Sequence, residues 1–428
     1  MDILRACGID YRGRKIPTGR GTKMSINPEP TLRGSSLNWL KSCYLGDGDF
    51  VFCPDIPAAP VLYNTCYAVL SLGLIGAVDI LGSFEKKALS RRILSCQNEH
   101  GFFRDASIEF ASSSHDRDYI LFHLTCCALQ ALDYLGEKPR PLVFLENYQR
   151  PVQIESWLGS MNMKNAWRES NRIMSLLAAM SHSGALETAS ALNESYHFIL
   201  DWLEKKQDPI TGFWGPDNGS GIMNGMAATY HYLMFFHAAG RNVPRAENII
   251  DSTLSLWLPE GHFSPLGGHS CVDMDAIDIL VNLSRFTDHR LSDIKNVSGK
   301  LHAAVVALRN PDGGFPEHSK KQHLASALAG AAYSFLKHRC LKTSMFHAKK
   351  IAKISLLSKR AVYCGSVRQC ASTAFASDLW ATFARLMTLA IIESRFPDVV
   401  SPTNAIQPEL AKMPGLAYGV SETRGEIL

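Results

Sequence analysis

The chain lacks the usual marks of several large function classes. Its 428 residues carry a net charge of only +4, with Lys and Arg scattered, so no basic stripe for nucleic acid is present. No apolar run reaches the roughly 18 residues needed to span a membrane without a polar break, and Met1 is not followed by an apolar leader segment. The eleven cysteines are odd in number and form no CxxC pair, which argues against a disulfide framework and against a zinc finger. There is no Gly-rich nucleotide loop after a strand, no HExxH, no GxSxG and no DDxxD. Alternating β-branched runs are scarce. A soluble, cytoplasmic protein is the expectation.

What remains is helix, punctuated by one recurring turn. It reads Gln97-Asn98-Glu99-His100-Gly101-Phe102-Phe103, then Gln207 to Trp214 around Gly212, Pro259 to Phe263 around Gly261, and Asn310 to Phe315 around Gly314. Helices flank each copy, at a spacing near 50 residues or twice that, as in a helical-hairpin repeat. The helices after the turns are rich in Ala, Leu and Met on most faces: Tyr63–Val78, Tyr119–Leu135, Ala166–Met180, Met223–His237, Asp273–Leu283, His323–Lys337 and Ala376–Ile392. Those before the turns, such as Thr188–Lys206 and Ser292–Leu308, are charged on one side. The pattern predicts an all-α fold, an α/α toroid of six to seven helical hairpins with inner and outer rings. Residues 1–36 read as an aperiodic arm, 37–397 as one toroid domain and 398–428 as a C-terminal tail.

The densest chemistry lies in Gly267-Gly268-His269-Ser270-Cys271-Val272-Asp273-Met274-Asp275-Ala276-Ile277-Asp278. One Asp suffices to cap a helix, and Asp273 can be that cap; Asp275 and Asp278, three apart, share a face. If all inner helices start at one mouth, His115 with Asp118, Asn224, Asp273 with Asp275, and His323 converge there, and Tyr230 points deeper. Arg168 and Arg385 would suit bidentate contact with phosphate, and polar helix starts favour anions. Each residue also has a structural explanation, Asn and Asp as ordinary caps and Trp214 as core between hairpins.

The turns, with their Gln, Gly and aromatic residues, resemble those of terpenoid cyclases and protein prenyltransferase β-subunits over roughly residues 60–395. Asp273-Met274-Asp275-Ala276 looks like the D-x-D-D stretch of class II terpene cyclases, with Ala276 departing from the last Asp. The resemblance implies that Asp275 is a general acid partnered by Asp273. His323-Leu324-Ala325-Ser326-Ala327-Leu328-Ala329-Gly330 is similar to the prenyltransferase segment that supplies a zinc-binding His, but the D-x-C pair of that family is D-x-D here. Thiolate-bound zinc is therefore not expected; magnesium on the carboxylates is the one cofactor candidate.

Three readings follow. The first is an enzyme that protonates and cyclises a small isoprenoid, with Asp278, His323, His115, Asp118, Asn224, Arg168, Tyr230, Trp214 and Arg385 around the substrate. Since class II cyclases place their site between two helical domains, one toroid leaves room for a second subunit or a homodimer. The second is a carbohydrate-active hydrolase or lyase using Asp118 and Asp275, with Trp214 stacking a sugar. The third is a non-catalytic binding scaffold. An aliphatic lining would favour isoprenoid, an aromatic and amide-rich one sugar.

Overall fold

The computed structural model describes residues 31–55, 58–108, 114–215, 221–264, 268–318, 332, 360–364, 367–372, 375–401, 405–406 and 408–419. Twelve α-helices lie among them: α1 (Leu32–Ser42), α2 (Leu62–Leu74), α3 (Ser83–Leu94), α4 (Ser114–Leu135), α5 (Pro151–Gly159), α6 (Ala166–His182), α7 (Ala191–Lys206), α8 (Ile222–Ala238), α9 (Ala246–Ser255), α10 (Ser270–Leu283), α11 (Leu291–Leu308) and α12 (Leu379–Arg395). Beside them stand two short antiparallel hairpins, Tyr44–Gly46 with Asp49–Phe50 and Arg360–Cys364 with Val367–Ser372, and three short 3-10 helices, Val143–Tyr148, Met163–Asn165 and Pro397–Val399.

The even-numbered helices form a closed ring. α2 packs on α4, α4 on α6, α6 on α8, α8 on α10, α10 on α12, and α12 returns to α2. These helices can be inner because they have no wet side: every residue of α2 and of α10 is buried. The odd-numbered helices lie outside. In α11 the buried residues are Ile294, Val297, Ser298, Leu301, His302 and Val305, a single helical stripe, and the rest meets water. The fold is thus an α/α toroid, with six inner helices among the described residues. The expected inner helix over 323–337 lies outside the described residues, and α10 meets α12 directly.

The turns between outer and inner helices share one backbone design. In the first, the N–H of Asn98 bonds to Phe102 O and that of Gly101 to Asn98 O; Leu258 with His262 and Gly261, and Asn310 with Gly314 and Gly313, repeat it. The glycine that must take a positive φ in the last copy is Gly313 (φ +97°), not Gly314. Gly314 is instead pressed against Trp39 and Ser377, where a Cβ would lie 2.6 Å from each. Two residues after each such glycine, an aromatic N–H donates into the next inner helix. Phe103 bonds Thr125 Oγ1 at 3.0 Å, Phe315 bonds Thr382 Oγ1 at 3.0 Å, and Phe263 bonds Asp273 Oδ1 at 2.9 Å.

Both ends of the chain differ in detail from the aperiodic reading. α1 begins at Leu32, capped by Thr31, and Arg33 bonds the carbonyls of Ile75 and Gly76 at the end of α2. Near the C-terminus, residues 408–419 fold into a small loop in which the Ala411 N–H donates to the Ala417 carbonyl and the Ala411 carbonyl accepts from the Gly419 N–H. Their local sequence carries no periodicity because their partners are distant helices, not neighbours in sequence.

Candidate functional site

The site grows from the geometry of α10. Residues two apart on a helix point about 200° apart. Asp273 faces the turn and the outer layer, as its bond from Phe263 shows, so Asp275 must face the interior of the ring. Asp278, three residues on, shares that side.

The outward carboxylate is fully engaged. Asp273 is wholly buried, takes an ion pair from Arg385 and lies 2.8 Å from His262 Nδ1. Burial alone would push its carboxyl up; His262, Arg385 and the Phe263 N–H outweigh that and hold it below the usual range. The helix starts at Ser270 with His269 at its N-cap, so Asp273 is a first-turn residue and not the cap. Nor is it the partner of Asp275. Arg385, read as a phosphate ligand, is fully buried and bonded to Asp273 and the Glu317 carbonyl.

The inward side is the opposite case. Asp275 is 1 % exposed and its Oδ2 has no hydrogen-bond partner. Burial, then the nearby Asp278, push its carboxyl well above the usual range. Asp278 is pushed up to about 7 by burial, against the pull of Asn282 and Arg285. From α8, Tyr230 joins them: fully buried, its Oη unpartnered, and close enough to sense Asp278, Asp275, and Cys126 of α4.

Aromatic rings cover the other side. Tyr63 and Tyr67 of α2 stack at 5.8 Å, Tyr67 meets Trp380 and Phe383 of α12 at 5.1 and 5.5 Å, and Tyr63 Oη is hydrogen-bonded to His123 Nδ1 at 3.0 Å. His231 is held by Ser170 Oγ at 2.7 Å. Burial lowers His123 to about 4; burial and then His123 lower His231 to about 3, so both imidazoles are neutral at neutral pH. This wall was missed in the sequence because each residue alone reads as core. The i, i+4 spacing of Tyr63 and Tyr67, with Tyr119 and His123, was the available signal.

A third cluster sits at the start of α10. Glu317 Oε2 accepts from Ser270 Oγ, Glu317 Oε1 lies 2.9 Å from His269 Nδ1, and Cys271 Sγ lies 2.9 Å from the same nitrogen. Burial would raise Glu317, but His269, His318 and Ser270 hold it well below its usual range. Cys271 is driven up by burial, then by Asp275 and Glu317, so it stays a thiol.

The remaining expected residues are dispersed. Trp214 is core, donating Nε1 to Leu203 O and packing on Tyr232 and Phe236. Arg168 lies over the Tyr119 ring at 4.8 Å, and Asn224 is half-buried in the first turn of α8. Exposed Asp118 lines a separate cavity of about 350 Å³ with Phe122, Tyr148, Trp157 and Arg172. It is not paired with Asp275. His115 falls in the first turn of α4, but its side chain lies outside the described residues, as does the whole of His323.

Asp273 and Asp275 do not converge on one ion. Asp273 oxygens are taken up by Arg385, His262 and Phe263, and Asp275 points the other way. Among the described residues no three His, Cys, Asp or Glu side chains are placed to hold an ion, and no helix is long and apolar enough to cross a membrane.

Neither a curated protein nor a solved structure matches the chain. The family profile of the prenyltransferase alpha-alpha toroid domain matches residues 23–138 and 145–364. That is most of the chain, and the chain belongs to this family.

Proposed function

We propose that the ring interior holds an isoprenoid and that Asp275 protonates it, in the manner of a class II cyclase. The observation that carries this reading is the buried cluster of Asp275, Asp278 and Tyr230, with Asp275 Oδ2 and Tyr230 Oη both unpartnered. Orphaned buried polar atoms cost about 1–3 kcal/mol each, which a folded protein seldom bears without a use.

The chemistry follows from the electrostatics. A carboxylic acid kept neutral by burial and by a second carboxyl can hand its proton to an alkene carbon: the O–H bond breaks, a C–H bond forms, and Asp275 becomes a carboxylate. Burial keeps the proton on Asp275 at neutral pH, and Asp278, poised at about 7, can stay protonated as Asp275 ionises, so two adjacent charges need not form. The positive charge left on the chain would face Tyr63, Tyr67, Trp380 and Phe383, whose ring faces attract cations. A C–H bond of the cation then breaks, its electron pair restoring the alkene, and the proton returns through solvent to the Asp275 carboxylate, which regains the acid. The wall is aromatic, which the sugar reading shares, but it is not amide-rich, and Asp118 and Asp275 do not form the carboxylate pair that reading needs. A second subunit completing the site belongs to this proposal as an open contribution from a partner of the same chain.

The test is incubation with a panel of prenyl diphosphates and glycans, wild type beside Asp275→Asn. Turnover of a prenyl substrate should fall about 10²-fold or more in the variant, with the fold intact by circular dichroism. Equal turnover would remove Asp275 from the chemistry. Turnover of glycans alone would replace the isoprenoid with a sugar, and no turnover at all would leave the toroid a scaffold.

A further inference from the structure

The cavity beside Asp118 includes none of Asp275, Asp278 and Tyr230, and the chemistry proposed for those residues makes no use of it. α4, α5, α6 and the 3-10 helix Val143–Tyr148 enclose about 350 Å³, the size of a small-ligand pocket. The lining is graded in depth. Asp118, Asn147 and Ser160 are exposed at the mouth, Tyr148 and Trp157 are half-buried in the wall, and Phe122 and Arg172 are buried at the floor.

Arg172 is a costly residue to place there. Its side chain is 7 % exposed and pairs at 3.0 Å with Glu169, whose side chain is 1 % exposed. Among the described residues its hydrogen bonds leave from Nη1 alone, to Glu169 Oε2 and to Met161 Sδ at 3.3 Å, and Nε has no partner. A guanidinium carries five N–H donors, so the Nη2 pair is left over for a guest. Tyr148 senses the charges at both depths. Burial pushes its hydroxyl up to about 12, Arg172 pulls it back and Asp118 adds to the rise, so it stays neutral and can both donate and accept.

This lining rejects three kinds of guest. An anion meets two carboxylates, Glu169 and Asp118, against one guanidinium. A cation finds the Trp157 ring already under the Arg172 guanidinium at 5.6 Å. Nor is there an aromatic cage for it: Tyr148 and Phe122 touch Trp157 at 5.5 and 6.0 Å and each other at 6.3 Å, with no gap between the rings. A wholly apolar guest would strip water from Arg172, Asp118 and Asn147 and return no hydrogen bond. What fits is a neutral ring with an apolar face and an edge of hydroxyls.

We propose that this cavity is a sugar-binding site that takes one pyranose ring of a glycan or glycoside against Tyr148 and Trp157. The C–H face of the sugar lies on the aromatic wall, and its hydroxyls, each both donor and acceptor, meet Arg172, Asp118 and Asn147. The assignment is binding and not cleavage. Glycoside hydrolysis takes two carboxyl groups flanking the bond, and among the described residues that line the cavity Asp118 alone carries one. The site is independent of the isoprenoid reading and of the role of Asp275.

Saturation-transfer NMR on the full-length protein tests it, with the methyl glycosides of glucose, galactose, mannose and N-acetylglucosamine as probes. Benzoate, choline and adenosine serve as the anionic, cationic and planar comparisons. At least one glycoside should bind, Trp157→Ala should abolish the signal, and Trp157→Phe should restore part of it. Asp118→Ala and Asn147→Ala, both at the exposed mouth, should each weaken binding about tenfold. If Trp157→Ala fails to fold, these two variants carry the test. Asp275→Asn should bind the glycoside as wild type does, which separates this site from the ring interior. Binding lost in Asp275→Asn, or unchanged in every folded cavity variant, places the sugar elsewhere and overturns the proposal. So does the absence of any glycoside signal, whether or not benzoate, choline or adenosine binds.

Discussion

The two sides of α10 carry the same chemical group at the same depth and do opposite things with it. On the outward side Asp273 is charged, ion-paired to Arg385 and bonded to a turn N–H. On the inward side Asp275 is kept neutral and one of its oxygens has no partner. Burial is not what distinguishes them, since both are almost fully covered. The difference is the company. A cation and an imidazole face one; a second carboxyl faces the other. Desolvation opposes the charge in both cases; His262 and Arg385 outweigh it at Asp273, and nothing outweighs it at Asp275.

The largest break in this comparison should come from Arg385→Met. It strands the Asp273 charge in the core, and losing one partner of a buried pair costs about 3–5 kcal/mol. Chemical denaturation reads the loss; a drop of under about 1 kcal/mol would mean that the pair does not hold α10 against α12. Second comes the exchange of Asp for Asn on each side. Asp273→Asn should destabilise by about 2 kcal/mol, since a charged acceptor of several bonds is lost. Asp275→Asn should leave stability unchanged or slightly raised, because its charge was never formed. Equal costs at the two positions would erase the distinction.

Acid and base should separate the sides next. Asp278 has a raised pKa, so its contribution is present at low pH and is lost as pH rises through about 7. Stability should decline by up to about 1.4 kcal/mol per pH unit between 3.8 and about 7 and level off above that, and Asp278→Asn should flatten that limb. Asp273 has a lowered pKa, so its contribution is present above 3.8 and is lost as pH falls below it. Thermal melts from acid to base check both limbs, and a base limb unchanged in Asp278→Asn would contradict the assignment.

The smallest effect sharpens what Asp273 does for the fold. Thr125 and Thr382 accept the same turn N–H from Phe103 and Phe315 that Asp273 accepts from Phe263. Thr125→Val or Thr382→Val should cost about 1 kcal/mol by leaving that N–H unmet. If both are silent in denaturation, the recurring bond does not anchor the turns, and Asp273 matters only through Arg385.

Much of this molecule was legible in the chain. Turns of one design between helices, some apolar on all faces and some on one, follow from local propensity and burial, and they led to the toroid. Asp275 and Asp278 were placed on a shared face by spacing alone. The partner of Asp275 was misread as Asp273, since residues two apart cannot face each other on a helix. His262, Glu317 and the neutral pair His123 and His231 went unnoticed, because nothing near them in sequence marks them out.

The sequence by itself determined the helices, their inner or outer character and the side of α10 on which each carboxyl lies, because these depend on residues within a turn or two. Only the tertiary structure decided which carboxyl is charged, which wall faces it and what closes the ring. Arg385 reaches Asp273 from 112 positions away, and Pro414 reaches Gln130 from 284. The protonation state of a buried acid is set by charges within a few ångströms, and in a ring those charges arrive from helices the chain returns to last.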